Sequence, residues 1–425
     1  MPAARLNAHI CESILARTLS VASLHNAALF LYVHRMNTSS DSLFIDADFP
    51  GGNIIVNRVD GNTIHIEQEL RDTATWWFYW QFRVRGAEGR TLTFRFCQEH
   101  MTGERLKEIS PIGSQGPAVS KDQGATWQWL KTQDPDSSEF SYAFSPDDDD
   151  VRFCFAIPYL QSHLEVFLER HSDNPLLHID TLAVSRKGRP IEKLLLGKTD
   201  ATPTHRCLIT ARHHCCEMIA GYVQEGLMEA ILADDGLQWL REQAEFLVIP
   251  FMDKDGVEDG DQGKNRIPYD HNRDYEGESI YPSVRALRSL VPQWSGGLLH
   301  AALDLHCPWI RGSHNEDIYL VGEEAPSIWE QQQKFCSILE SIHKGALPYT
   351  AEHTLPFGES WNKKDNYSAG KSFGRWASEI PEILLSGSLE IPYASAGGVE
   401  ISPGSAREFG KSLAQALQQY LQSST

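Results

Sequence analysis

Between residues 42 and 158 apolar and polar positions fall in short runs typical of strands. Asn53-Ile54-Ile55-Val56 leads into the turn cluster Val59-Asp60-Gly61-Asn62, residues 63–67 alternate strictly, residues 76–84 form an aromatic run, and residues 91–96 follow Gly86 and Gly89. Short β-branched and aromatic runs at this spacing predict an antiparallel β-sandwich, with the aromatic run as its core rather than as a stacking platform for sugars or bases. The acidic run 147–150 reads as a solvated loop. From residue 159 the period changes. Residues 162–170, 218–232, 331–343 and 406–421 repeat their apolar positions at helical spacing, whereas 177–184, 206–211, 245–250 and 298–305 read as strands. Continuous apolar strands alternating with helices predict a sheet covered on both faces. The expected organisation is an N-terminal extension (1–41), a β-sandwich domain (42–158) and an α/β domain (159–425), with no internal repeat.

Composition narrows the function. The chain has 425 residues, with 38 Lys plus Arg against 57 Asp plus Glu, a net charge of −19. Such an acid excess argues against a general nucleic-acid or anionic-membrane binder. No run of 18 or more apolar residues occurs, so no transmembrane helix is expected. The eight cysteines form no C-x-x-C pair, which reads as reduced, buried thiols in a cytoplasmic protein. Residues 1–35 lack the apolar segment and small-residue cleavage site of a signal peptide and read as a poorly ordered extension or a misplaced start.

Several common catalytic signatures are missing: H-E-x-x-H, G-x-S-x-G, a complete phosphate loop and G-x-G-x-x-G. The segment Arg212-His213-His214-Cys215-Cys216-Glu217 instead follows a predicted buried strand, and another such strand ends in Asp304-Leu305-His306. In open α/β sheets, sites gather beyond the carboxyl ends of strands. Two His and one Glu with an open fourth position form the ligand set of a hydrolytic zinc site. His213 with Cys216 is a rival metal pair. Asp304, on the same strand face as His306, reads equally as a carboxylate that orients the ligand or as a loop cap.

Five motifs then occur in order: Arg212 to Glu217, Asp255-Gly256-Val257, Asp270-His271-Asn272-Arg273, Asp304-Leu305-His306 and Ser388-Leu389-Glu390. In this order they resemble the zinc carboxypeptidases, and the preceding β region, with the junction Phe155-Ala156-Ile157-Pro158-Tyr159, narrows the likeness to the cytosolic carboxypeptidase subfamily. The resemblance implies a mixed-sheet α/β/α catalytic domain, one zinc ion, and a peptide or protein C-terminus as substrate. Residue by residue, it makes His214, Glu217 and His306 the zinc ligands and Glu390 the general base. It sets Asn272 and Arg273 on the substrate's terminal carboxylate, whose planar shape suits a guanidinium fork. Arg266 becomes the cation that polarises the scissile carbonyl, with Lys264 as fallback, because Gly263-Lys264-Asn265-Arg266 displaces the family's Asn by one place. Tyr367 would close over the substrate, and Arg375 would face its terminal side chain, favouring acidic residues. Cys215-Cys216 replaces the usual Pro-Gly. The alternatives are a deacylase of N-acyl amino acids on the same scaffold and a non-catalytic peptide-binding protein.

Overall fold

The computed structural model describes residues 43–97, 110–131, 137–312 and 314–423. The expectations for residues 1–41 lie outside the described residues. One sheet runs β1 (Phe44–Asp46), β4 (Gln81–Arg85), β9 (Val151–Cys154), β6 (Ala118–Ser120) and β7 (Gln128–Trp129); its described neighbours all pair antiparallel. A second runs β2 (Ile55–Asp60), β3 (Thr63–Glu67), β5 (Thr91–Phe96) and β8 (Glu139–Ala143), antiparallel except for the parallel pair β3–β5. Alternation buries one face of each: Leu92, Phe94 and Phe96 on β5, Phe140 and Tyr142 on β8.

Aromatic rings fill the space between these two sheets. Phe94 stands 5.1 Å from Phe82 and 5.4 Å from Phe153. Trp80 stacks on Phe140 at 5.9 Å. Such pairs contribute about 0.5–1.5 kcal/mol each beyond their buried area. The aromatic run divides at this point, which corrects the sequence reading. Only its end, from Gln81, is strand; Trp76, Trp77 and Phe78 turn away and pack on Trp309 at 5.7, 4.4 and 5.2 Å. Asp148 is a second correction. It is buried, accepts a hydrogen bond from the Ser145 N–H at 2.8 Å and pairs with Lys121 at 2.9 Å, so the acidic run is anchored rather than freely solvated.

The larger sheet has seven strands in the order β10 (Leu177–Val184), β11 (Pro190–Gly197), β13 (Ala244–Ile249), β12 (His205–Ala211), β14 (Leu299–His306), β16 (Leu385–Glu390) and β15 (Tyr319–Val321). The middle four, β13, β12, β14 and β16, are parallel, and antiparallel strands flank them. Every residue of β13 is buried, as a strand covered on both faces requires. The helices are α1 (Gln161–Arg170), α2 (Ile219–Ala233), α3 (Gln238–Gln243), α4 (Lys254–Asp259), α5 (Pro282–Ser295), α6 (Pro326–Ile342), α7 (Phe373–Ser378) and α8 (Pro403–Gln422). On one face, Leu208, Leu247, Ile249 and Ala302 pack with Val284, Leu287 and Val291 of α5 and Phe373 and Ala377 of α7. Elsewhere α2 lies on β11, β12 and β14 and packs against α8. The molecule is thus an α/β protein led by a β-sandwich. The carboxyl ends of β12, β14 and β16 lie side by side, with Ala211 paired to Leu305 and His306 to Glu390.

A candidate metal centre at the strand ends

Just past β12 the chain turns through Arg212, whose φ of 62° places it in the left-handed region. Its buried guanidinium holds that turn by donating to the carbonyls of Cys215 and Tyr159. The turn presents His214 and Glu217 together, Glu217 standing just ahead of α2 rather than in its first turn. His214 Nδ1 lies 2.9 Å from Glu217 Oε1, His306 Nδ1 lies 2.7 Å from Glu217 Oε2, and the two Nδ1 atoms are 3.1 Å apart. All three side chains are buried.

The far side of each ring explains this convergence. His214 Nε2 is 3.1 Å from Asp270 Oδ1, and His306 Nε2 bonds to Asp304 Oδ2. With each Nε2–H given to a carboxylate, both Nδ1 atoms face a common point beside Glu217. Asp304 is itself fixed through its other oxygen, which accepts from the Thr210 hydroxyl at 2.8 Å and pairs with His213 Nδ1 at 2.9 Å. Burial opposes the His306 imidazolium, yet Asp304 and Glu217 hold its pKa well above the usual histidine range. Burial also opposes the Glu217 carboxylate, but His214, Lys264 and His306 bring its pKa well below the usual range. Two imidazole nitrogens and a carboxylate, backed by two further carboxylates, form an anionic N,N,O donor set that fits a zinc ion, which would replace the Nδ1 proton of His306. Replacing Asp304 or Asp270 by Asn is expected to weaken zinc affinity about 10- to 100-fold, as measured by competition with a chelator. Unchanged affinity would show that these carboxylates do not orient the rings.

His213 and Cys216 do not converge. His213 lies between Asp304 and Tyr275, its Nε2 2.7 Å from the Tyr275 hydroxyl, whereas Cys216 Sγ faces the Tyr393 hydroxyl at 3.7 Å. Glu390, opposite His306 in the β14–β16 ladder, is buried, and its Oε2 has no hydrogen-bond partner among the described residues. Burial pushes its pKa above the ordinary carboxylate range and Glu217 adds to that, while His306, Lys264 and His214 pull it down only in part.

The two candidate cations exchange places relative to the sequence expectation. Arg266 is caged by acids: it bonds to Asp253, pairs with Asp261 at 2.9 Å and lies 3.6 Å from Asp72. Lys264 reaches the centre, its Nζ 2.8 Å from Glu217 Oε1 and above the Trp77 ring. The β-sandwich side sets this arrangement. Asp72 accepts hydrogen bonds from the N–H groups of Gln262 and Gly263 at 2.9 and 2.8 Å, and Gln262 bonds to Tyr79 through both side-chain ends. Gly263 has φ 79°, and a β-carbon there would collide with the Cys215 backbone, so only glycine lets the loop bring Lys264 in.

Around the remaining side, Arg273 directs three donors to the carbonyls of Asn366 and Asn272. Of its five N–H groups two therefore remain, one on each terminal nitrogen. Two guanidiniums lie over the Tyr367 ring, Arg273 at 5.0 Å and Arg375 at 4.3 Å, and its hydroxyl donates to Asn362 Oδ1 at 2.7 Å. Asn272 meets the Arg273 guanidinium through its backbone carbonyl, and its side chain is engaged elsewhere. Its Oδ1 accepts from the Phe373 N–H at 2.8 Å, and its Nδ2 lies 3.2 Å from His306 Nε2, behind the imidazole. Asp270 escaped the sequence reading as a working residue; its signal was the acidic first position of Asp270-His271-Asn272-Arg273.

The chain is similar to several known proteins. Residues 45–155 match the family described as the cytosolic carboxypeptidase N-terminal domain. The chain is 24% identical over 324 residues to cytosolic carboxypeptidase 6 of Caenorhabditis elegans, an alignment covering 69% of this chain and 68% of that protein. It is 24% identical over 326 residues to human cytosolic carboxypeptidase 2, where 69% of this chain matches only 35% of the longer protein. A metallo-carboxypeptidase from Burkholderia cenocepacia shares the fold with a TM-score of 0.72 at 22% identity, over 90% of this chain and 100% of that one. By these likenesses the chain is similar to the cytosolic carboxypeptidases and has the metallocarboxypeptidase fold.

Proposed function

We propose that this protein is a cytoplasmic zinc metallocarboxypeptidase that removes the last residue of a peptide or protein tail. The domain 159–425 would carry the chemistry, and the sandwich 42–158 would anchor the loop that bears Lys264. One observation carries the reading: His214 Nδ1, His306 Nδ1 and Glu217 face a common point, and Glu390, whose Oε2 has no partner among the described residues, ends the neighbouring strand. Zinc held by these three side chains would acidify water and polarise the scissile carbonyl. Glu390 takes the proton of the attacking water and passes it to the leaving amine, a task suited to a buried carboxyl with a raised pKa. Lys264 replaces Arg266 as the cation for the developing oxyanion, since Arg266 is neutralised by its three carboxylates. Burial opposes the Lys264 charge, but Glu217, Glu390 and Asp270 raise its pKa and keep it protonated.

Arg273, fixed in plane by its carbonyl partners, offers its two remaining N–H groups to the substrate's terminal carboxylate. Tyr367 covers it, and Arg375 forms the wall beyond. Restriction to chain ends follows from that carboxylate contact. The test is a pair of peptides identical except for a free or amidated C-terminus. Single residues are expected to leave the free acid at least about a hundredfold faster, the loss of a bidentate charged contact. Equal rates would remove Arg273 from substrate recognition.

A further inference from the structure

Glu323, just past β15, is partly buried, and no donor or cation among the described residues bonds its carboxyl. The carboxyl abuts Gly374 in the first turn of α7, where a methyl group would collide with it. Arg375 and Tyr367 are its charged and aromatic neighbours. The charges that act on it are already paired, Arg375 with Glu324 at 2.9 Å and Glu379 with Lys371 at 2.6 Å. The charge left without a partner among these groups is that of Glu323 itself.

We propose that Glu323 selects the terminal residue of the substrate and favours one whose side chain ends in a cation, lysine or arginine. This reverses the acidic preference expected from Arg375, whose guanidinium is stacked on Tyr367 and Phe357 at 4.3 and 4.9 Å and bonded to Glu324. A cationic side chain supplies the charge partner that Glu323 lacks, whereas an acidic one would add like charge beside it. Burial pushes the Glu323 pKa up to about 7; Arg375 opposes this, while Glu324 and Glu379 reinforce it. An acid is ionised above its pKa, so the preference for a basic residue grows as pH rises through neutrality.

The inference rests on the carboxypeptidase reading and is tested separately from it. Zinc-loaded full-length protein is given peptides that differ only in a terminal Lys, Leu or Glu, at pH 6 and pH 8. In kcat/KM, Lys is expected to exceed Leu about tenfold or more at pH 8 and by less at pH 6. Both Glu323→Gln and Gly374→Ala, the latter displacing the carboxyl with a methyl group, should collapse the Lys-to-Leu ratio. That ratio is independent of how much protein folds. A ratio near one in the wild type, a preference for Glu, or a Lys preference that survives Glu323→Gln would overturn the proposal. Calorimetry with N-acetyl-lysine and N-acetyl-leucine reads the same selectivity without turnover. Tighter Lys binding that Glu323→Gln abolishes, in a protein that cleaves none of the peptides, would sink the peptidase reading and uphold Glu323; equal binding of the two would count against Glu323.

Discussion

Glu390→Gln protein is expected to hold as much zinc as the wild type and to turn over peptides about a thousandfold more slowly, within the usual 10²- to 10⁴-fold range for a general base. The amide is isosteric and the residue is not among the three converging donors, so metal content should not move. Only the ionised form accepts a proton, and burial raises the pKa of this group. The acid limb of kcat/KM should therefore lie above the ordinary carboxylate range, with activity rising as pH increases through it. Turnover left intact in Glu390→Gln would assign the base elsewhere.

Exchange of the two neighbouring cations should give opposite kinds of damage. Lys264→Ala is expected to lower kcat about a hundredfold with little loss of stability, because its ammonium faces the centre beside Glu217. Arg266→Ala should instead lower stability by about 3 kcal/mol or more in a denaturant titration, since it strands the buried Asp253 and Asp261 carboxylates without their partner. A catalytic defect in correctly folded Arg266→Ala, with Lys264→Ala fully active, would restore the assignment drawn from motif spacing alone.

That contrast marks where the sequence was legible. Strand ends, the His214–Glu217 spacing and Asp304-Leu305-His306 could be read because a parallel strand buried on both faces is a continuous apolar run, and its carboxyl end is where side chains become available for chemistry. The choice between Lys264 and Arg266 depends on a loop with Gly263 and Asn265 both at positive φ, which spacing along the chain cannot convey. It depends as well on Asp72, far away in sequence, which grips that loop through two backbone N–H groups. Likewise Trp76 to Phe78 carry the composition of a strand, but tertiary packing on Trp309 overrides local propensity. The family resemblance made Asn272 a substrate contact together with Arg273. In the fold it lies behind His306, since a short helical turn, His271–Arg273, points consecutive side chains in different directions.

The central claim is that His214, Glu217 and His306 bind one ion together. Metal content after dialysis against zinc and gel filtration tests it most directly, in wild type and in the single variants His214→Ala, Glu217→Ala and His306→Ala. About one zinc per chain is expected in the wild type and close to none in each variant, since structural chemistry of this donor set needs all three protein ligands. A wild type that retains no zinc, or variants that retain as much as the wild type, would contradict the account.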